Sequence, residues 1–145
     1  MDIRLVFILC ISMSTNMMCQ NLSNYQWKNR VLIIKYNDHS KDLFKEQRAF
    51  LEGEVKGLKE RKMLLVFCKD NDCTFKDYVK DEVYTLQNGK RVKLDFQWKD
   101  KATFELVLLG LDGGVKFCKE SPISKEELYA IIDGMPMRRA ELGGK

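Results

Sequence analysis

Three stretches of the chain are almost continuously apolar: VLIIKY at 31–36, MLLVFC at 63–68 and FELVLL at 104–109. Such runs lack the alternation of a half-wet strand. They predict strands buried on both faces, of the kind found in parallel pairings between helices. Between the first two, Leu43, Phe44, Gln47, Phe50, Leu51, Val55 and Leu58 recur at steps of three and four, with Lys41, Glu46, Arg48, Glu52 and Lys56 on the other side. That spacing predicts one amphipathic helix of about five turns, weakened toward its end by Gly53 and Gly57. Asn37-Asp38-His39-Ser40 breaks the first run and offers helix caps. Strand, helix and strand in this order make a βαβ unit.

Downstream the period changes. Residues 69–80 mix acidic and basic side chains and read as a loop or short helix. EVYTLQ at 82–87 and RVKLDF at 91–96 alternate on either side of Asn88-Gly89, a strong hairpin signal, with one face of the hairpin expected to be wet. VKFCK at 115–119 alternates like an edge strand. Between it and FELVLL lies Asp112-Gly113-Gly114. A phosphate-gripping loop needs backbone N–H groups aimed from a helix start. No helix signal appears until after Pro122, so the glycines read as the positive-φ positions of a tight turn. Ser124-Lys125-Glu126-Glu127 is a capping box. It opens a helix with Leu128, Ile131, Ile132 and Met135 on its apolar face, ended by Gly134 and Pro136. Arg138 and Arg139 follow, where their charge complements the negative end of that helix.

The first residues form a separate unit. Arg4 precedes an apolar run at 5–11, and Ser12, Ser14, Thr15 and Asn16 follow it. Charge, apolar run, then small polar residues is the plan of a secretory signal peptide, expected over residues 1–19 with cleavage at 14 or 19. The run is too short to span a bilayer, which takes roughly 20 apolar residues. The alternative is a buried N-terminal strand. Met17-Met18 fits poorly before a lipid-anchored Cys19. No later segment reads as membrane-spanning. The mature chain is therefore expected outside the cytoplasm, periplasmic or extracellular, with no stable membrane anchor.

With 145 residues, 45% hydrophobic and 32% charged, the chain has room for one domain with a real core. A net charge of +4 is too mild and too scattered for a dedicated nucleic-acid binder. In an oxidising compartment Cys68 and Cys73 can close a small loop, while Cys118 is left over and is expected to pack as a small apolar side chain.

The order of elements is the plan of the thioredoxin fold: α/β, with a central mixed β-sheet flanked by helices and a β-hairpin inserted before the third core strand. The residues also resemble a specific family. LLGLDGGVKFCKESPISKEELYAIIDGMPMRRAE, together with WKNRVLIIKY and Gln47-Arg48, is similar to the domain of unknown function 4174. That domain occurs in small exported bacterial proteins and in vertebrate extracellular proteins, among them coiled-coil-domain-containing protein eighty and the sushi-repeat-containing proteins. The resemblance covers about 27–141 and implies a thioredoxin-like domain with no established activity. Redox members of the wider fold carry a Cys-x-x-Cys where the first strand gives way to the first helix. Here Tyr36-Asn37-Asp38-His39-Ser40-Lys41 has no thiol, and no proline precedes Phe104 where redox members have a cis-proline.

Cys68 and Cys73 remain as weak redox candidates, with Lys69 or Lys76 able to activate a thiolate. The competing expectation is a structural disulfide. His39, the single histidine, lacks partners at catalytic or zinc-binding spacing. Lys90, Arg91, Lys93, Phe96, Trp98, Lys99 and Lys101 interleave basic and aromatic residues, a pattern that can grip a polyanion. Asp95 and Asp100 dilute that charge, which favours an exposed hairpin folded back on the sheet. Asn21-Leu22-Ser23 fits a glycosylation sequon, relevant only in a eukaryotic secretory pathway. The sequence thus points to an exported, non-catalytic binding or structural module without cofactor or metal, its partner a protein or extracellular polymer. The alternative is a thiol–disulfide oxidoreductase or redox sensor using Cys68 and Cys73.

Overall fold

The three apolar runs become the three inner strands of one sheet. The computed structural model describes residues 22–70, 72–86, 99 and 101–144. The chain order is β1 (Arg30–Tyr36), α1 (Lys41–Leu51), α2 (Val55–Glu60), β2 (Met63–Lys69), β3 (Asp72–Asp77), β4 (Glu82–Leu86), β5 (Phe104–Leu109), β6 (Val115–Lys119), α3 (Lys125–Asp133) and α4 (Pro136–Gly143). Six strands line up as β4-β3-β2-β1-β5-β6. β1 and β2 are parallel, with Arg30 opposite Met63 and Tyr36 opposite Lys69. All other neighbours are antiparallel. The β2-β1-β5-β6 half, with its single parallel pair and a helix after it, is consistent with a thioredoxin-like α/β fold. The β3–β4 hairpin lengthens the main sheet beyond β2.

Strand alternation divides the core in two. Leu32, Ile34, Met63, Leu65, Phe104, Leu106 and Leu108 meet the buried sides of the helices: Leu51 of α1, Leu58 of α2, Leu128 and Ile132 of α3. On the opposite face Val31, Ile33, Leu64, Val66, Phe75, Val107 and Leu109 pack together. There, among the described residues, Leu22 and Tyr25 of a 3-10 helix (Leu22–Tyr25) close the layer. Helices on both faces, the usual setting of such runs, are therefore not what covers this second side among the described residues.

Three sequence expectations change. The five-turn helix breaks after Leu51, where Gly53 takes a φ of +79°. The weakest helix former in that stretch supplies the left-handed position at least cost. Phe50, still within α1, and Val55, past the break, were assigned to the apolar stripe and are exposed. Residues 72–77 are a strand, not a loop or short helix: Cys73, Phe75 and Asp77 are buried and Asp72, Thr74 and Lys76 are not. The alternation was present, but Asp and Lys are poor strand formers and masked it. The strand at Glu82–Leu86 pairs with β3. The other arm expected for it, 91–96, and Asn88-Gly89 lie outside the described residues, as do 1–21. Finally, Pro136 ends α3 but also opens α4 as its first residue, where a missing N–H costs nothing.

The turns carry their own chemistry. Gly113 has a φ of +78°, and the Gly110 N–H donates to the Gly114 carbonyl at 2.9 Å, so Asp-Gly-Gly is the β5–β6 turn that its pattern predicts. In the β3–β4 turn, buried Asp77 Oδ1 accepts from the Val79 and Lys80 N–H groups at 2.9 and 3.2 Å and from Asn29 Nδ2 at 3.1 Å. Ser124 Oγ accepts from the Glu127 N–H at 3.2 Å and starts α3.

Candidate functional site

Redox proteins of the thioredoxin fold carry their thiols where the first strand hands over to the first helix. Here the position is filled by a cap. Asn37 Oδ1 accepts from the His39 N–H at 3.0 Å, and the Asn37 N–H donates to Ser40 Oγ at 3.0 Å. Ser40 is buried, not exposed with its neighbours, and its hydroxyl donates to the Thr103 carbonyl at 2.7 Å. That carbonyl lies one residue before Phe104, so the hydroxyl ties the start of α1 to the start of β5. Asp38 sits outside, bridged by Lys41 Nζ at 2.8 Å and Lys69 Nζ at 3.0 Å. Hydrogen bonds from Lys41 and then Lys69 hold its carboxyl down at about 2, and Lys69 is raised in return. His39 is exposed. The constellation caps a helix and pairs charges; it presents no nucleophile.

Cys68 and Cys73 face each other across β2 and β3 and form a disulfide, with Cα atoms 4.1 Å apart. They are 4% and 7% exposed, within the second core layer. A disulfide exchanges only when a thiolate reaches one of its sulfurs, so burial on this scale opposes exchange. Neither Lys69 nor Lys76 shares their face: both alternate to the helix side of the sheet. Cys118 does not pack as a small apolar residue. It is free and exposed on the edge strand β6, opposite Val107. Partial desolvation, then the charge of Glu105, pushes its thiol up against the pull of Lys99. Of the basic-aromatic segment, Lys99 and Lys101 are described: Lys99 pairs with Glu120, and its N–H donates to buried Glu105 at 3.0 Å.

A concavity lies elsewhere among the described residues. Because β3 and β4 carry the sheet past the helices, a groove of about 750 Å³ opens between α1 and the hairpin. Its apolar wall is Tyr36 stacked on Phe44 at 3.8 Å between centroids, with Phe67 edge-on to Phe44 at 5.6 Å. Toward the hairpin the floor becomes polar, through Thr74 and Lys76. Four cations line the groove, Lys45, Arg48, Lys69 and Lys76, against two carboxylates, Glu52 and Asp72. Arg48 lies over the Phe44 ring and Lys76 over the Tyr78 ring. Neither makes an ion pair among the described residues, while Lys45 and Lys69 do. The sequence missed this site because Phe44 and Lys76 are 32 positions apart and belong to different elements. The unassigned alternation of residues 72–77 was the one signal that could have revealed its floor.

Among the described residues no cluster of three His, Cys, Asp or Glu side chains is placed to hold a metal ion. No described helix is long and apolar enough to cross a membrane. No curated protein and no solved structure matches the chain. The sequence model of one family, described as Domain of unknown function (DUF4174), matches residues 21–141. The chain belongs to that family.

Proposed function

We propose that this protein is an exported, non-catalytic, thioredoxin-like binding module, and that the groove beside the β3–β4 hairpin is its recognition surface. One observation carries the reading: the groove joins an aromatic wall to a surplus of cations, two of them without a carboxylate partner among the described residues. The matching partner is an extended protein segment with acidic groups set between aromatic or aliphatic ones. Its carboxylates would pair with Arg48 and Lys76, and its apolar side chains would cover Phe44 and Phe67. The capped helix start at Asn37–Ser40 fits a scaffold in which the position that carries thiols in redox members of the thioredoxin fold is structural. Export accords with the disulfide and with the signal-like N-terminus.

Amide chemical shifts of the full chain would be mapped during titration with a peptide of alternating aspartate and phenylalanine, and separately with heparin oligosaccharides. Shifts at Phe44, Phe67, Thr74 and Lys76 with the peptide, lost in Arg48→Glu/Lys76→Glu, support the reading. Response to heparin alone would move the partner to a polyanionic polymer. No response at the groove to either would end it.

The rival reading is a thiol–disulfide oxidoreductase or redox sensor using Cys68 and Cys73, favoured by the disulfide itself. Equilibration against a glutathione series decides it. A potential of roughly −120 to −270 mV, with exchange on the timescale of catalysts, would revive it. A disulfide that does not exchange leaves a scaffold.

A further inference from the structure

Trp27 is 63% exposed, and its backbone is held at a φ of +67°. That region is costly for a bulky side chain. Tertiary hydrogen bonds hold it there. The Trp27 N–H donates to the Leu111 carbonyl at 2.6 Å. On one side Gln26 Nε2 donates to the Asp112 carbonyl at 2.8 Å, and on the other Asn29 Nδ2 donates to buried Asp77 at 3.1 Å. The ring is thus displayed between the β5–β6 turn and the β3–β4 turn. Strain kept at a residue that buries so little points to a use outside the fold.

The same end of the sheet gathers other exposed apolar side chains. Val79 lies in the β3–β4 turn and Val115 starts β6, and both are exposed. From β3 to β6 is four strand spacings, roughly 20 Å at about 4.8 Å each, and Trp27 leads into β1 between them. Met137, in the first turn of α4, is exposed too. An ion-pair cluster fixes α4 to this end by linking Arg30, Arg61, Lys62 and Arg138 to Glu60, Asp133 and Glu141. A set this wide suits a surface better than a small ligand.

Charge selects the surface. Asp81 and Asp112 are taken by Lys59 and Lys116. Lys28, Lys80 and Arg139 are exposed and make no ion pair among the described residues, and on the acidic side the same holds for Glu82. Three such cations against one such carboxylate leave this end positive, complementary to anionic headgroups. A soluble polyanion would answer the cations but leave the apolar side chains in water. Tryptophan favours the headgroup layer of a bilayer, where its ring is buried and its N–H stays wet.

We propose that this end of the sheet docks reversibly on an anionic lipid surface, with Trp27 in the headgroup layer, Val79, Val115 and Met137 beside it, and Lys28, Lys80 and Arg139 against the lipid phosphates. The docking does not depend on the groove, whose aromatic wall includes Tyr36 at the opposite end of β1. The test uses vesicles of equal parts phosphatidylcholine and phosphatidylglycerol, beside vesicles of phosphatidylcholine alone. Co-sedimentation of the full chain measures partitioning. Trp98→Phe leaves Trp27 as the one tryptophan for fluorescence. With the anionic vesicles its emission should shift to the blue and be quenched by brominated acyl chains, and both effects should fade as salt is raised. Lys28→Glu/Lys80→Glu should weaken partitioning at least about twentyfold, since each cation near such a leaflet contributes about fivefold. Trp27→Gly suits the left-handed φ, so its melting point should hold or rise while partitioning falls at least about fivefold. Absence of the blue shift and quenching overturns the proposal. So does equal partitioning into neutral vesicles, or partitioning that survives both variants, as the apolar run at 5–11 alone would give. A blue shift without vesicles that grows with protein concentration would put a second copy on this face and also overturn it.

Discussion

Gln47 is a polar residue with no solvent exposure, inside the stripe of α1 that faces the core. Its side chain bonds the backbone of Ile123 twice: the Ile123 N–H donates to Oε1 at 2.8 Å, and Nε2 donates to the Ile123 carbonyl at 3.1 Å. Ile123 is itself fully buried just before α3. The pair thus pins the loop entering α3 against α1, which also carries Phe44 and Arg48 of the groove. Gln47→Met keeps the volume and removes both bonds. Repacking a near-isostere costs little, but two buried backbone groups lose their partners at about 1–3 kcal/mol each. The expected loss is about 2–6 kcal/mol, a large share of a stability of about 5–15 kcal/mol. At about 4 °C per kcal/mol, the melting point should fall by roughly 8–24 °C. Urea denaturation followed by circular dichroism measures this directly, and an unchanged m-value would show that the denatured state is not the cause. A loss below about 0.5 kcal/mol, the size of an ordinary surface change, would refute the argument that this tether organises the helix layer. Gln47→Glu offers an internal control. Its protonated form can again donate to the Ile123 carbonyl, so its deficit against wild type should shrink as pH falls.

Three further outcomes are expected. Cys68→Ala/Cys73→Ala should keep the fold and cost about 2 kcal/mol, the chain-entropy value for so short a loop; equal denaturation midpoints with and without reductant in the wild type would contradict a formed disulfide. In the ion-pair cluster, burial raises the carboxyls of Asp133 and Glu141, but Arg61 and Arg138 on the first, and Lys62, Arg30 and Arg138 on the second, outweigh it and hold both below their ordinary values. Depressed carboxylates stabilise the fold fully above the unfolded pKa of about 4, and that contribution is lost as pH falls through the folded values. Asp133→Asn should therefore lower stability at neutral pH and flatten its acid limb; an unchanged acid limb would contradict the coupling. In native alkylation read by peptide mass spectrometry, the Cys118 peptide should label while those of Cys68 and Cys73 stay unmodified until reduction. Its raised pKa should make that labelling slower at neutral pH than for a free cysteine.

What the sequence decided by itself was local. Apolar runs at 31–36, 63–68 and 104–109 could only be buried strands, because no exposed element hides that many consecutive apolar side chains. Asp112-Gly113-Gly114 could only turn, because no helix followed. Ser124 and Glu127 marked a helix start because a capping box spans only four residues. The family resemblance was carried by stretches of the same kind. Residues 72–77 escaped because a weak alternation of Asp, Cys, Thr and Phe competes with poor strand propensity, and only pairing with β2 settles it. Arg138 read only as a complement to a helix end, and the structure buries it among Glu60, Asp133 and Glu141.

The functional surfaces belonged to tertiary structure. The groove exists because β3 and β4 extend the sheet where no described helix covers it, and its aromatic wall and cationic floor come from different elements. The buried Arg30–Glu141 pair joins residues 111 positions apart. No periodicity spans such a distance. Which charge is buried is fixed only when the sheet and the C-terminal helices close on one another.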